Sequence, residues 1–158
     1  MCLFIFMHEI FKKRHSVRSF QDKPVEEEKI KEILEVANSA PSAGNLKARE
    51  IMVVKDLETK KTLAQAALGQ DFIAEAPVVL VFFALPEKSG RKYEERGRKL
   101  YSIQDATISA SFAWLQAVDL GLSCCWVGAF DDGKVKEILK VPSGWHPIAI
   151  LPIGHSVE

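Results

Sequence analysis

Two short segments carry residue types whose spacing suits ligand binding. In Arg14-His15-Ser16-Val17-Arg18, two guanidinium groups, an imidazole and a hydroxyl fall within five residues. Planar guanidinium forks match the paired oxygens of a phosphate or carboxylate, and serine adds a short neutral donor. The segment reads as an anion site, or, on the same residue types, as a solvated basic turn. In Ser39–Asn45 (SAPSAGN), Pro41 stiffens the backbone, Ser42 and Asn45 offer polar groups, and Ala43-Gly44 lets a flat ligand approach the main chain. An ordinary helix-to-strand turn has the same composition. Other candidate chemistry is thinner. The sequence holds no GxGxxG, GxxxxGK[ST], GxSxG or HExxH. Cys124, Cys125, His146 and His155 match no zinc-finger or ribbon spacing, so no metal site is assigned. Asp131-Asp132 reads as a helix cap rather than a carboxylate dyad.

The elements that must position these segments are legible from periodicity. Residues 24–39 place Ile30, Ile33, Leu34 and Ala37 on one helical face, with Glu26, Glu27 and Glu28 in the first turn, where they suit the helix dipole. Glu50–Lys55 predicts a short buried strand and Leu57–Leu68 an amphipathic helix. Pro77–Ala84 (PVVLVFFA) runs apolar without alternation, as a strand covered on both faces does. Pro86–Leu100 mixes six basic and three acidic residues and predicts a solvated connection or helix. Tyr101–Leu120 predicts a helix apolar nearly all round. Its small-residue stripe (Ile103, Ala106, Ala110, Ala113, Ala117) is expected to meet, in part, a second subunit. Gly121 ends that helix, Ser123–Val127 is a strand, Asp131 or Asp132 caps a helix over Lys134–Leu139, and Pro147–Ile153 is a last strand. The fold expected is α+β: a mixed α/β sandwich, a central sheet surrounded by helices.

Composition sets the outer bounds. With 158 residues, 47% hydrophobic and 27% charged, the chain fits one domain with its own core. Lys+Arg and Asp+Glu are both 21, so no global basic field supports nucleic acid or an anionic membrane as partner. The apolar runs Met1–Met7 and Ala76–Leu85 fall far short of the ~20 residues a membrane helix needs. The basic residues Lys12, Lys13 and Arg14 follow the first apolar run instead of preceding it, unlike a signal peptide. Three cysteines make no disulfide framework, which fits a reducing, cytoplasmic compartment. Residues 1–9 are read as an N-terminal arm, its first six an arm or a misplaced start, and 10–158 as a single domain.

Five pieces in order, FKKRHSVRSF, SAPSAGN, IQDATISAS, GLSCCWVGAFDD and PIAILPIGH, resemble the FMN-dependent nitroreductase family over about residues 10–155. The resemblance implies a nitroreductase-like homodimer with FMN held between subunits. By the same resemblance, Arg14, His15, Ser16 and Arg18 match the segment that grips the ribityl phosphate and flavin edge. Pro41, Ser42 and Asn45 match the loop that the partner lays against the ring. Gln104 matches a pocket-lining position, and Trp126, Val127, Gly128 and Ala129 match the strand end, with the Gly128 backbone near the hydride-accepting nitrogen. Lys47 and Arg18 are the candidates for stabilising charge near the reduced ring.

The activity implied is ping-pong transfer from NAD(P)H to nitroaromatic, quinone or related small-molecule acceptors, with no side-chain nucleophile or general base. Three departures qualify it. The sequence ends at Glu158, where family members usually continue into a basic tail, so weaker FMN binding is expected. Lys47-Ala48-Arg49 replaces the frequent Gln-Pro-Trp, which alters a pocket wall. The stretch between Ala84 and Tyr101 is short and polar. These leave as alternatives a specialised flavin enzyme (a dehalogenase or biosynthetic dehydrogenase) and a non-catalytic flavin-binding dimer.

Overall fold

The computed structural model describes residues 8–157. Its centre is a sheet of β1 (Arg49–Val54), β2 (Val78–Ala84), β3 (Ser123–Cys124) and β4 (His146–Gly154). These strands lie in the order β1-β2-β4-β3, and every neighbouring pair is antiparallel. Around the sheet stand α1 (Glu9–Lys13), α2 (Glu27–Ser39), α3 (Leu57–Ala66), α4 (Phe72–Glu75), α5 (Pro86–Arg96), α6 (Ser102–Asp119) and α7 (Asp132–Leu139). Of the expected N-terminal arm, residues 1–7 lie outside the described residues, and Glu9 already opens α1.

All seven residues of β2 are buried, which explains why its sequence does not alternate. Side chains still point to opposite faces with a period of two. Val79, Val81 and Phe83 pack with Leu63 of α3, Ile73 of α4 and Val135 of α7. Val78, Leu80 and Phe82 pack with Ile30, Ile33 and Ala37 of α2 and with Ala110, Ala113 and Ala117 of α6. The sheet is thus sandwiched between two helical layers, each with its own core.

The capping signals locate the helix starts. Asp56 accepts the Thr59 N–H at 2.8 Å to open α3. Asp131, the first of the two candidate aspartates, accepts the Lys134 N–H at 2.9 Å, and α7 begins one residue later. Helix α2 starts at Glu27 rather than residue 24, because Val25 is drawn into the core from an extended lead-in. The charged stretch is helix α5, which passes through a wide turn at Gly97–Tyr101 straight into α6. Gly97 is required there: a Cβ would stand 2.5 Å from the Ser89 carbonyl oxygen.

One expectation is corrected. Ala106, Ala110, Ala113 and Ala117 are each 0% exposed inside a single chain, and the last three pack with α2 and the sheet, so the stripe serves a contact within the chain. Ile103 leaves the stripe and is 41% exposed. The surface of α6 that remains half-buried is the opposite one, with Ile108, Phe112 and Leu115. Alanine spacing signals a close approach, and here the approaching helix comes from the same chain.

An Ala113→Leu substitution should overpack the α2–α6 contact and lower stability by about 1–3 kcal/mol. Urea denaturation reads this as a lowered midpoint, and an unchanged midpoint would show the contact to be loosely packed.

Candidate functional site

Helix α1 ends at Lys13, and Arg14 turns the chain into extended conformation. From there Ser16 pairs in parallel with Cys124, and the Val17 N–H donates to the Cys124 carbonyl at 3.1 Å. Alternation along this extended run sends Val17 into the core at 1% exposure and leaves Ser16 and Arg18 outside. Arg14 and His15 are exposed as well. The Arg14 guanidinium lies over the Trp114 ring of α6 at 4.9 Å, while His15 Nδ1 sits 2.9 Å from the Lys13 carbonyl oxygen. Among the described residues neither Arg14 nor Arg18 has a carboxylate within ion-pair distance, so both keep their donors for another anion.

The main-chain pairing joins this segment to the end of the third strand region. Beyond β3, Val127 exchanges hydrogen bonds with Ile150 of β4 at 3.0 and 2.9 Å. Trp126 is half-buried, Val127 buried, and Gly128 and Ala129 emerge into solvent. A Cβ on Gly128 would stand 3.2 Å from the indole nitrogen of Trp126, so glycine leaves the main chain open here. Cys125 marks the junction. Burial pushes its thiol above the usual range, and the Arg18 charge and a hydrogen bond with Ser16 pull it partly back. Burial likewise pushes the Cys124 thiol up. Thiols held neutral in this way are poor nucleophiles. Among the described residues no three metal-ligating side chains converge. His146 opens β4 and His155 follows its end, so the two imidazoles are separated by the length of a strand.

The second segment is built around buried charge. After α2 the chain makes a tight turn at Ala43–Asn45, then enters β1. Gly44, Asn45 and Lys47 have φ of 58°, 56° and 49°, the left-handed region. Ser42 Oγ accepts the Lys47 N–H at 2.9 Å. Asp105, in the first turn of α6, accepts the Ala43 N–H at 3.0 Å and the Ala48 N–H at 3.1 Å. The Tyr93 hydroxyl, from α5, occupies the space that a side chain on Gly44 would need. Gln104 is exposed beside Asp105, and Pro41, Asn45 and Lys47 are exposed on the loop with Ser42 half-buried.

Ala48 and Arg49 are not the altered pocket wall expected from sequence, being 0% and 4% exposed. Arg49 Nη2 donates to the carbonyls of Ala37, Asn38 and Ala40 at 3.3, 3.0 and 3.0 Å and so caps the end of α2. Sequence reasoning missed both Asp105 and Arg49. Their signal was a carboxylate in the first turn of a helix whose only other charge is Asp119 at its end, and a cation at the head of β1, a strand that is partly exposed and not buried as the sequence predicts.

The two segments form separate half-sites in one chain. Among the described residues, the hydrogen bonds of the 41–48 loop run to Asp105, to the Arg49 and Leu85 amides and within the loop, and none runs to residues 14–18 or 124–129. Beside Arg14, a shallow apolar groove of about 310 Å³ is lined by Phe11, Ser111, Trp114 and Leu115. A larger groove of about 770 Å³ between α3 and α7, lined by Thr62, Lys134 and Glu137 among others, shares no residue with either half-site.

Comparison with known proteins bears on this arrangement. The profile of the nitroreductase family matches residues 11–70 and 65–155. An FMN reductase [NAD(P)H] of Bacillus subtilis is 33% identical, the match covering 96% of this chain and 68% of that one. A protein named NADH dehydrogenase from Thermus thermophilus is 32% identical over 92% of this chain and 84% of its own length. Among solved structures, an FMN-dependent nitroreductase from Clostridium difficile R20291 superposes with a TM-score of 0.83 at 36% identity, covering 94% of this chain and 87% of that one.

Because Cys124 and Cys125 are buried, with thiols held protonated, a maleimide at pH 7 should label the peptide carrying them only when denaturant opens the fold. Mass spectrometry of that peptide reads the outcome. Rapid labelling of the native protein would contradict the burial described.

Proposed function

The chain belongs to the nitroreductase family, and we propose that its two half-sites are completed by a second copy, the 41–47 loop of one subunit facing the Arg14–Arg18 segment of the other. Within that family it is an FMN-dependent NAD(P)H oxidoreductase. The observation that supports the proposed site best is the docking of residues 14–18 against Cys124, which brings the Arg18 charge to Cys125, three residues before the exposed main chain of Gly128 and Ala129. Two forks, an imidazole and a hydroxyl are the donor set a phosphate monoester needs, so these residues fit the cofactor's anionic end.

Under this reading Arg14, His15, Ser16 and Arg18 hold the phosphate and adjoining edge. Trp126, Val127, Gly128 and Ala129 border the ring, with the Gly128 backbone offering an N–H toward it. Pro41, Ser42 and Asn45 of the partner cover the ring, and Gln104 lines the pocket. Arg18 and Lys47 supply positive charge. When bound, FMN supplies hydride uptake from NAD(P)H and delivery to an acceptor. Nitroaromatic or quinone acceptors would enter the cleft that the nicotinamide vacates, a ping-pong order. The half-buried Ile108, Phe112 and Leu115 of α6 offer apolar surface for the second copy. No helix among the described residues is long and apolar enough to cross a membrane. We read the compartment as the cytoplasm, where free thiols such as Cys124 and Cys125 persist. With Ala48 and Arg49 turned inward, one of the motives for a specialised acceptor is removed.

Two outcomes test the reading. Added FMN should bind and its visible bands bleach anaerobically with NADH or NADPH, with parallel double-reciprocal plots when an acceptor is varied. A protein that stays colourless in excess FMN would refute the reading. Arg14→Ala should weaken FMN binding by roughly 10–100-fold, the worth of a charge-assisted hydrogen bond, with the fold intact. An unchanged affinity would remove Arg14 from the phosphate site.

A further inference from the structure

We propose that Asp105 is a positioning residue for the cofactor: its buried carboxylate holds residues 43–48 in the one shape that can cover a flavin, while Arg49 anchors the same loop to the end of α2. This rests on the reading of the 41–47 loop as flavin-binding, and goes beyond it by assigning a role to residues away from the ring.

Asp105 is 2% exposed, and both its oxygens are engaged. The amides they accept, Ala43 and Ala48, stand at the two feet of the loop, so one carboxylate fixes both ends of the excursion. Between those feet Gly44, Asn45 and Lys47 occupy left-handed backbone. That region is costly for a residue such as lysine and persists only where surroundings impose it. The carboxylate supplies the restraint from inside, and the Tyr93 hydroxyl closes over Gly44 from outside. Arg49 ties the flanking elements together through Ala37, Asn38 and Ala40, but its Nε and Nη1 are buried and find no partner. Burial pulls its pKa down, and the charge of Asp105 opposes that shift. The two charges therefore support one another at the base of the loop.

An amide in place of the carboxylate is a sharp probe. Asp105→Asn keeps the shape but presents an NH2 to one of the two backbone N–H groups, donor against donor, and withdraws the charge opposite Arg49. Ser109→Ala is the matched control. Ser109 lies one turn along the same helix, is 0% exposed, and donates to the Ala37 carbonyl at 2.8 Å with no bond to the 43–48 loop.

The experiment is a flavin-fluorescence titration of the full chain with FMN, run on wild type, Asp105→Asn and Ser109→Ala, with urea midpoints for each. Asp105→Asn should bind FMN roughly tenfold or more weakly and Ser109→Ala within about twofold of wild type. Equal affinity of Asp105→Asn and wild type overturns the proposal, and so does an equal loss in Ser109→Ala, which would reduce the effect to general destabilisation. If Asp105→Asn does not fold, amide exchange on wild type decides. FMN should slow exchange across residues 43–48 by about tenfold or more, and no slowing overturns the proposal. A wild type that binds no FMN would instead overturn the functional reading, and this inference with it.

Discussion

Burial of β2 on both faces is the constraint from which the rest of the architecture follows. A strand with seven buried residues must have a helical layer on each side, and its neighbours must supply partners for all its ladder groups. On one side that layer is α3, α4 and α7, and on the other α2 and α6. Two helices over one face of a small sheet must come close together. Alanines at 106, 110, 113 and 117 make this possible, since larger side chains there would hold α6 away from α2 and the strand. The site inherits its layout from this crowding. The loop after α2 must cross to the edge strand β1 over the start of α6, and the first turn of α6 is where its polar main chain finds a buried acceptor.

Two charged side chains, Arg49 and Asp105, are buried inside that layer, each bonded to main chain for a specific reason. The end of α2 leaves carbonyls that no further helical turn can satisfy, and Arg49 reaches back from β1 to take three of them. Asp105 does the converse, taking two amides of the loop that follows. Burying either charge alone would be unfavourable. The short crossing from helix to strand is therefore organised by Asp105 of α6 and by Arg49 at the head of β1, and not by turn propensity alone.

The sequence was legible where a signal is local and one explanation dominates. An unbroken β-branched and aromatic run such as Val78–Ala84 has few alternatives, and Asp131 ahead of a helical pattern is a direct hydrogen-bonding statement. The family resemblance rests on residues such as Arg14, Ser42 and Gly128, whose types speak for themselves. Legibility failed where one residue type serves two geometries. The alanine stripe of α6 fits a close helix neighbour equally well within a chain or between chains, and only the path of α2 distinguishes them. Arg49 reads as surface or pocket wall until the helix end it caps is known. The pairing of Ser16 with Cys124 joins positions more than a hundred residues apart, beyond what any short-range pattern reports.

That pairing has a further consequence. In the order β1-β2-β4-β3 the outermost strand on one side is only two residues long, and a bare margin there would expose unpaired main-chain groups. Residues 16–21 clothe that margin: Val17 bonds to Cys124, Phe20 pairs with Ser156, and the Gln21 N–H donates to the His155 carbonyl at 2.8 Å. The basic segment read as the phosphate grip is therefore also the hem of the sheet. Loosening it would uncover main-chain groups open to strand addition by other chains, so the proposed cofactor grip and the cover of the sheet's edge share one short stretch of backbone.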